Sequence, residues 1–184
     1  MSARFVFLDR DGTLVRDHGY THRVEDYALL PGVREGLSRL AGAGYRLAVV
    51  TNQSGIGRGY YDEAAYRAFE RLLADDLARS GVRLERSFFC PHLPDAGCRC
   101  RKPEPGLLLE AAERLGADLA ASWLVGDRAA DAEAARRAGC RGAVLVHPDA
   151  PPPAEVPPGV PVVADVEAAA RFILAHDAGD YSAP

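Results

Sequence analysis

The sequence predicts an α/β fold, in which helices cover both faces of a doubly wound, mostly parallel and Rossmann-like sheet. The first observation is that short, continuous apolar runs alternate along the chain with amphipathic stretches of helical period. The second is that these runs do not alternate apolar and polar residues, which is typical of strands buried on both faces. The third is size: 184 residues, 48% of them hydrophobic, suit one well-cored domain.

Five apolar runs are predicted strands, and a short sixth strand follows a proline-rich stretch. The first run ends on a carboxylate, Asp9, and the third leads into a cysteine-rich loop. The six predicted strands lie within residues 4–9, 45–52, 86–90, 122–127, 142–146 and 160–165.

Helices fill the intervals between these strands, and their ends carry recognisable signals. Pro31 and Pro105 suit the first helical position, and Asp62 suits a helix N-cap. Gly81 and Gly139 suit helix C-caps. The predicted helices begin near Pro31, Asp62, Pro105, Asp131 and Glu167 and end near Gly42, Ser80, Leu115, Ala138 and Ala175.

We expect one domain over residues 1–176. Residues 148–161 hold seven prolines and predict an extended connector to a docked C-terminal strand and helix. Residues 177–184 are expected to form a loose tail.

Composition excludes several functional classes. A formal net charge of −4 argues against a nucleic-acid binder. Asp9 comes too early for a signal peptide, and no apolar run approaches the roughly 20 residues of a membrane helix. We therefore expect a cytoplasmic protein that binds neither nucleic acid nor membrane. Nothing suggests an oligomer seam, so we expect a monomer.

Reactive side chains follow several of the predicted strands. In open parallel sheets, ligands bind beyond the carboxyl ends of the strands, so these side chains should converge on one edge. A cluster of four carboxylates with a hydroxyl and a lysine suits magnesium-dependent phosphoryl transfer, because Mg²⁺ would offset the repulsion between carboxylates and phosphate. The residues concerned are Asp9, Asp11, Thr51, Asn52, Lys102, Asp127 and Asp131.

Four ordered segments, DRDGTL, VVTNQSG, CRKPEPG and VGDRAAD, resemble the four motifs of the haloacid dehalogenase superfamily of phosphatases. By that resemblance, Asp9 is the nucleophile and Asp11 the general acid/base. Thr51 and Lys102 stabilise the phosphoryl group. Mg²⁺ is held by Asp9, the backbone carbonyl of Asp11, and Asp127.

A second metal site is expected in the loop at residues 90–100. Cys90, His92, Cys98 and Cys100 provide three thiolates and one imidazole, a full tetrahedral set for Zn²⁺. Because no position is left for water, this zinc should be structural. It would fix the loop that carries Arg101 and Lys102. Cys140 is left over and is expected to be a buried core residue.

The gaps between the motifs have no room for a cap domain, so three loops should set specificity: 16–28, 53–61 and 91–101. The GIGRG stretch within the second is expected to be a flexible loop. Capless, zinc-containing members of the superfamily act on a heptose bisphosphate or on histidinol phosphate, and the sequence resembles both groups, the first more closely. That likeness implies substrate contacts from Asp17, His18, Gly19, Tyr20, Thr51, Asn52, Gln53, Ser54, Arg101 and Arg128.

Two further alternatives remain at this point. A non-catalytic phosphate-binding zinc domain would be expected to lack Asp9 or Asp11, yet both are present. A phosphotransferase or mutase could use the same aspartyl-phosphate, but the missing cap disfavours it, because such enzymes shield the intermediate from water.

Overall fold

The computed structural model of the chain describes residues 3–147 and 156–179. A parallel sheet forms its centre. The strands are β1 (Phe5–Leu8), β2 (Arg46–Asn52), β3 (Leu84–Cys90), β4 (Trp123–Gly126), β5 (Gly142–Val146) and β6 (Val162–Val163). The helices are α1 (Val33–Gly42), α2 (Ser54–Gly57), α3 (Glu63–Ala78), α4 (Gly106–Leu115), α5 (Ala129–Ala138) and α6 (Val166–Ala178).

The six strands pair in the order β3-β2-β1-β4-β5-β6, and every pairing is parallel. The chain runs outward from β1 to one edge, then returns to β4 on its other side. This reversal between β1 and β4 is the position at which doubly wound sheets bind ligands. The predicted fold class is confirmed.

Two apolar layers sandwich the sheet. On one face α1, α3 and α6 pack through Leu37, Leu73 and Ile173, all fully buried. On the other face α4 and α5 pack through residues such as Leu108 and Ala135. Both faces are covered, which explains why the central strands β1 and β4 are continuously apolar, whereas the edge strand β3 is not.

Two of the predicted helices, α3 and α5, begin and end close to their signals. The Asp62 side chain accepts a hydrogen bond from the Ala65 N–H, 2.8 Å away, at the start of α3. Gly139 has a positive φ of 77° and ends α5. That helix begins at Ala129, two residues before the predicted Asp131, because Asp131 accepts a hydrogen bond from the Arg128 N–H and so caps the first turn.

The predicted flexible loop at GIGRG is wrong in part, since Ser54–Gly57 form a short helix. The glycines allow close packing there. A Cβ on Gly55 would lie 2.2 Å from the Tyr61 ring, and one on Gly57 would lie 2.6 Å from the Pro91 carbonyl oxygen. The short helix α2 is therefore packed closely between Tyr61 and Pro91.

The predicted loose tail at 177–184 is also wrong at its start. Helix α6 continues through Asp177 and Ala178 and ends at Gly179, which has a φ of 77°. The Asp177 carboxylate forms ion pairs with Arg4 and Arg141, both at 3.3 Å. These partners hold the last turn in place; residues 180–184 lie outside the described residues.

The predicted proline-rich connector lies mostly outside the described residues, which omit 148–155. Val156 and Val160, which follow, pack against the apolar layer of α4 and α5. Among the described residues, no helix combines the length and apolar character that crossing a bilayer demands.

Candidate active site

Three carboxylates converge at the carboxyl edge of the sheet. Asp9 follows β1 and Asp127 follows β4, which are neighbouring strands. Asp131 lies in the first turn of α5. Asp9, Asp127 and Asp131 each offer a carboxylate oxygen, and these atoms lie within 4.8 Å of one another. The sequence predicted the convergence of all three carboxylates but gave Asp131 no defined role.

Lys102 lies beside this cluster with its side chain almost fully buried. Its Nζ atom is 3.0 Å from Asp9 Oδ1, 2.5 Å from Asp131 Oδ1 and 2.8 Å from the Val50 carbonyl oxygen. Burial alone would lower the pKa of Lys102, but Asp131 and Asp9 raise it above the ordinary value. The side chain is therefore a fixed ammonium in the wall of the site.

Asp127 has the surroundings expected of a metal ligand. Burial, followed by the charges of Asp9 and Asp131, raises the pKa of Asp127 to about 8. Its Oδ1 atom is buried with no hydrogen-bond partner among the described residues. A buried, unpaired carboxylate oxygen is costly unless it coordinates a metal. Because Mg²⁺ prefers oxygen ligands of this kind, the residues fit the ion.

Gly12 lets the first motif approach Asp127 closely. Its φ is +79°, and a Cβ at this position would lie 2.4 Å from Asp127 Oδ2. Any other residue would be strained and would displace the carboxylate. The glycine after Asp11 is thus a requirement of the site as well as of the turn.

The Asp11 side chain points to a different set of partners. Arg10 Nε donates to Asp11 Oδ1 at 3.0 Å, and Gln53 Nε2 donates to Asp11 Oδ2 at 2.8 Å. Burial raises the pKa of Asp11 to about 6, although Arg10 opposes the shift. A carboxyl group with this pKa is suited to give and take a proton near neutral pH.

A cleft of about 390 Å³ opens above these groups. Of the substrate contacts implied by resemblance, all line the cleft except His18, whose neighbours Asp17 and Gly19 do. The His18 side chain lies in an exposed turn held by Asp17 and Thr21. Arg58 and Asp131 also line the cleft, together with three residues that the sequence did not single out: Tyr61, Pro94 and Ala130.

Two of the predicted substrate contacts, Asn52 and Gln53, also form hydrogen bonds to other residues of the site. Asn52 Nδ2 donates to the Lys102 carbonyl, and Asn52 Oδ1 accepts from the Lys102 N–H, both at 3.0 Å. Gln53 is buried, and its amide group is shared among Asp11, Thr51 and Tyr61. The pairing of β2 with β3 places the side-chain amides of Asn52 and Gln53 beside the loop that carries Lys102. The spacing of these residues along the chain does not reveal this proximity.

The four residues of the predicted zinc site come together as a compact cluster. Cys90 Sγ lies 3.5 Å from His92 Nδ1, 3.6 Å from Cys98 Sγ and 3.1 Å from Cys100 Sγ. Tetrahedral Zn²⁺ with Zn–S bonds of about 2.3 Å places its ligands about 3.5–3.8 Å apart. All four cysteines of the chain are free thiols. The donor set therefore fits zinc, whereas a disulfide is not formed.

The cysteine cluster borders the cationic wall of the cleft. Arg101 and Lys102 follow Cys100 directly, and both line the cleft. The backbone is closely packed here, since a Cβ on Gly106 would lie 2.2 Å from the Arg99 carbonyl oxygen. The fourth cysteine, Cys140, lies apart from the cluster; it packs against the apolar layer of α4 and α5, as expected of a core residue, but is only partly buried.

The fold and the carboxylate–lysine site together define a hydrolase of the haloacid dehalogenase type. A family model described as HAD-hydrolase-like matches residues 99–171. The crystal structure of D,D-heptose 1,7-bisphosphate phosphatase from B. bronchiseptica, complexed with magnesium and phosphate, superposes with a TM-score of 0.82. It is 34% identical, and the match covers 94% of this chain and 99% of that one.

Curated relatives extend this likeness over nearly the whole chain. The D-glycero-beta-D-manno-heptose-1,7-bisphosphate 7-phosphatase of Photorhabdus laumondii is 42% identical over 92% of this chain and 88% of that protein. The protein of that name from Escherichia coli K12 is 39% identical over 92% and 87%. The chain therefore belongs to the heptose-bisphosphate phosphatase family of HAD-like hydrolases, and it is a phosphoric monoester hydrolase.

Proposed function

We propose that the protein removes the 7-phosphate of D-glycero-β-D-manno-heptose 1,7-bisphosphate and releases heptose 1-phosphate. The observation that carries this proposal is the 42% identity to a phosphatase of that name over 92% of the chain. The product would serve the synthesis of nucleotide-activated heptose for surface polysaccharide such as lipopolysaccharide. The cytoplasm suits this role, because the cysteine cluster needs reduced thiols.

The proposed reaction begins at Asp9. Its carboxylate oxygen forms a bond to phosphorus while the bond from phosphorus to the sugar oxygen breaks, and Asp11 gives its proton to that leaving oxygen. Water then attacks the aspartyl-phosphate, Asp11 takes up a proton from it, and inorganic phosphate departs. Lys102 and the Thr51 hydroxyl stabilise charge on the phosphoryl group throughout.

Two metals complete the proposal. Mg²⁺ would be held by Asp9, Asp127 and the backbone carbonyl of Asp11, and when bound it offsets the charge between phosphate and carboxylates. Zn²⁺ would be held by Cys90, His92, Cys98 and Cys100 and fixes the loop that carries Arg101 and Lys102. The magnesium in the B. bronchiseptica relative and the orphaned Asp127 oxygen support the first assignment.

The outer cleft supports a bisphosphate over histidinol phosphate. Arg58, Arg101 and Arg128 line it, and guanidinium groups suit a second phosphate dianion. Asp17 lines the same region, with Arg128 3.6 Å away. The cationic amine of histidinol phosphate would lie among these arginines, which disfavours it.

Phosphate release with Mg²⁺ tests the proposal, comparing heptose 1,7-bisphosphate with histidinol phosphate. We expect the bisphosphate to have the higher kcat/KM by tenfold or more, a transition-state difference of about 1.4 kcal/mol. Phosphorus NMR of the product should show the 1-phosphate retained. A preference for histidinol phosphate would refute the substrate assignment, and loss of the 1-phosphate would refute the position of hydrolysis.

A further inference from the structure

Arg10 lies between the two aspartates of the first motif, and its guanidinium is fully buried. It makes two hydrogen bonds to Asp11: Nε to Oδ1 at 3.0 Å and Nη2 to Oδ2 at 2.9 Å. A planar guanidinium that binds both oxygens of a carboxylate fixes the rotation of that group. Neither the magnesium ligands nor the phosphate-binding residues include this arginine.

Gln53 holds the same carboxylate from the other side. Its Nε2 atom donates to Asp11 Oδ2 at 2.8 Å and lies 3.1 Å from Thr51 Oγ1. Its Oε1 atom accepts from Tyr61 Oη at 2.6 Å and from Arg10 Nη2 at 3.2 Å. The amide thus has a partner at each end inside the protein.

Helix α3 holds Arg10 in place. Arg10 Nη1 lies 3.2 Å from Glu70 Oε1, and the guanidinium carbon lies 4.7 Å from the centre of the Phe69 ring. The other oxygen of Glu70 accepts a hydrogen bond from Ser87 of β3. One buried cation is thereby shared by two carboxylates, Asp11 and Glu70, and lies against the rings of Phe69 and Tyr66.

These contacts leave little freedom to Asp11. A carboxylate has about four acceptor positions, and the hydrogen bonds from Arg10 and Gln53 take three of them. Asp11 nevertheless lines the cleft. The remaining position of the Asp11 carboxylate is free to carry the proton that is passed to the leaving oxygen of a bound ester.

We propose that Arg10 and Gln53 are positioning residues that orient the Asp11 carboxylate for proton transfer to the leaving oxygen. Gln53, which resemblance places among the substrate contacts, thereby acts through Asp11. The inference rests on the proposed function, since it takes Asp11 as the group that moves the proton.

The test compares two phosphate esters that differ in their need for a proton. An alkyl sugar phosphate loses a poor leaving group, whereas p-nitrophenyl phosphate releases a stable anion. For Arg10→Lys and Gln53→Met, we expect kcat/KM on the sugar phosphate to fall about 100-fold, within the usual range for general acid catalysis. On p-nitrophenyl phosphate the fall should be no more than about threefold. The ratio kcat/KM reports the steps up to departure of the alcohol.

Matched controls separate positioning from a general loss of structure. Arg46→Lys makes the same replacement at the amino end of β2, where Arg46 forms an ion pair with Glu85 at 3.0 Å. This control should leave kcat/KM unchanged on both esters. Circular dichroism checks the fold; if Arg10→Lys does not fold, Gln53→Met decides. Equal losses on the two esters would overturn the positioning role alone. A wild-type protein that hydrolyses neither ester would overturn the proposed function itself.

Discussion

In the proposed reaction, Asp9 has the most direct chemical role among the site residues. Its carboxylate lies 3.0 Å from a fixed ammonium, Lys102, and lines the cleft. We expect Asp9→Asn to lower kcat at least about 1,000-fold, because an amide oxygen is a poor nucleophile. Phosphate release measures this, with circular dichroism to show that the fold is kept. A variant retaining a tenth of the wild-type rate would mean that another group attacks phosphorus.

Asp131 shows how a single residue can serve both structure and site. Its Oδ2 atom accepts from the Arg128 N–H at 3.0 Å, and its Oδ1 atom lies 2.5 Å from Lys102 Nζ. From the sequence, an acidic residue in the first turn of a helix is explained by the helix dipole alone. Only the packing of the Lys102 loop against α5 shows that Asp131 is almost fully buried and forms an ion pair with Lys102.

At the scale of elements, one carboxylate joins three segments on the α1–α3 side of the sheet. Asp76 of α3 accepts from Tyr27 Oη and from Arg34 Nη2, both at 2.6 Å. Arg34 belongs to α1, and Tyr27 follows the 3₁₀ turn Val24–Asp26. The hydrogen bond from Tyr27, then those from Arg34, lower the pKa of Asp76, while burial opposes them.

This shift predicts a pH-dependent contribution to stability. Because the folded-state pKa is lowered, the contribution is present above the unfolded value of about 4 and is lost as the pH falls through the folded value. We expect Asp76→Asn to lower the free energy of unfolding at pH 7 by about 1 kcal/mol, discounted because Arg34 is 40% exposed. Urea denaturation should show this difference shrinking below pH 4. A difference that is constant from pH 7 to pH 3 would contradict the assignment.

The cysteine loop is the second element that gives a prediction. Cys98→Ser should reduce bound zinc from one per chain to near zero, because the site would lose one of four ligands. Activity should fall with it, since the loop that carries Arg101 and Lys102 is no longer fixed. Elemental analysis of purified protein measures the metal. Cys140→Ser is the matched control and should keep its zinc; metal loss in both variants, or in neither, would contradict the assignment.

At the scale of the whole molecule, α6 closes the fold by packing on α1. Gly36 of α1 makes this contact possible, since a Cβ there would lie 2.5 Å from the Val166 carbonyl oxygen, whereas one on Gly42 would meet nothing within 4 Å. We expect Gly36→Ala to lower the free energy of unfolding by about 1–3 kcal/mol through overpacking. Gly42→Ala should raise it by up to about 1 kcal/mol, because alanine favours the helix. Denaturant unfolding measures the free energy of unfolding of both variants. Equal effects would show that α6 moves to accommodate the added methyl group at this contact.

The sequence by itself determined the fold class, the order of the strands along the chain, the predicted nucleophile and the composition of the zinc set. Each of these depends on local information. Buried parallel strands are continuously apolar, Asp9 follows such a strand directly, and Cys90, His92, Cys98 and Cys100 lie within one short loop. Features that depend on residues close together along the chain can be recognised from the sequence alone.

The tertiary structure alone decided the strand order, the burial of Arg10 and the sharing of Lys102 by Asp9 and Asp131. It also decided that α6 extends through Asp177, because the partners of that carboxylate, Arg4 and Arg141, lie far away along the chain. Such contacts join residues that meet only when the sheet is assembled. Their hydrogen bonds and ion pairs depend on distance in space, and the spacing of residues along a chain carries no record of it.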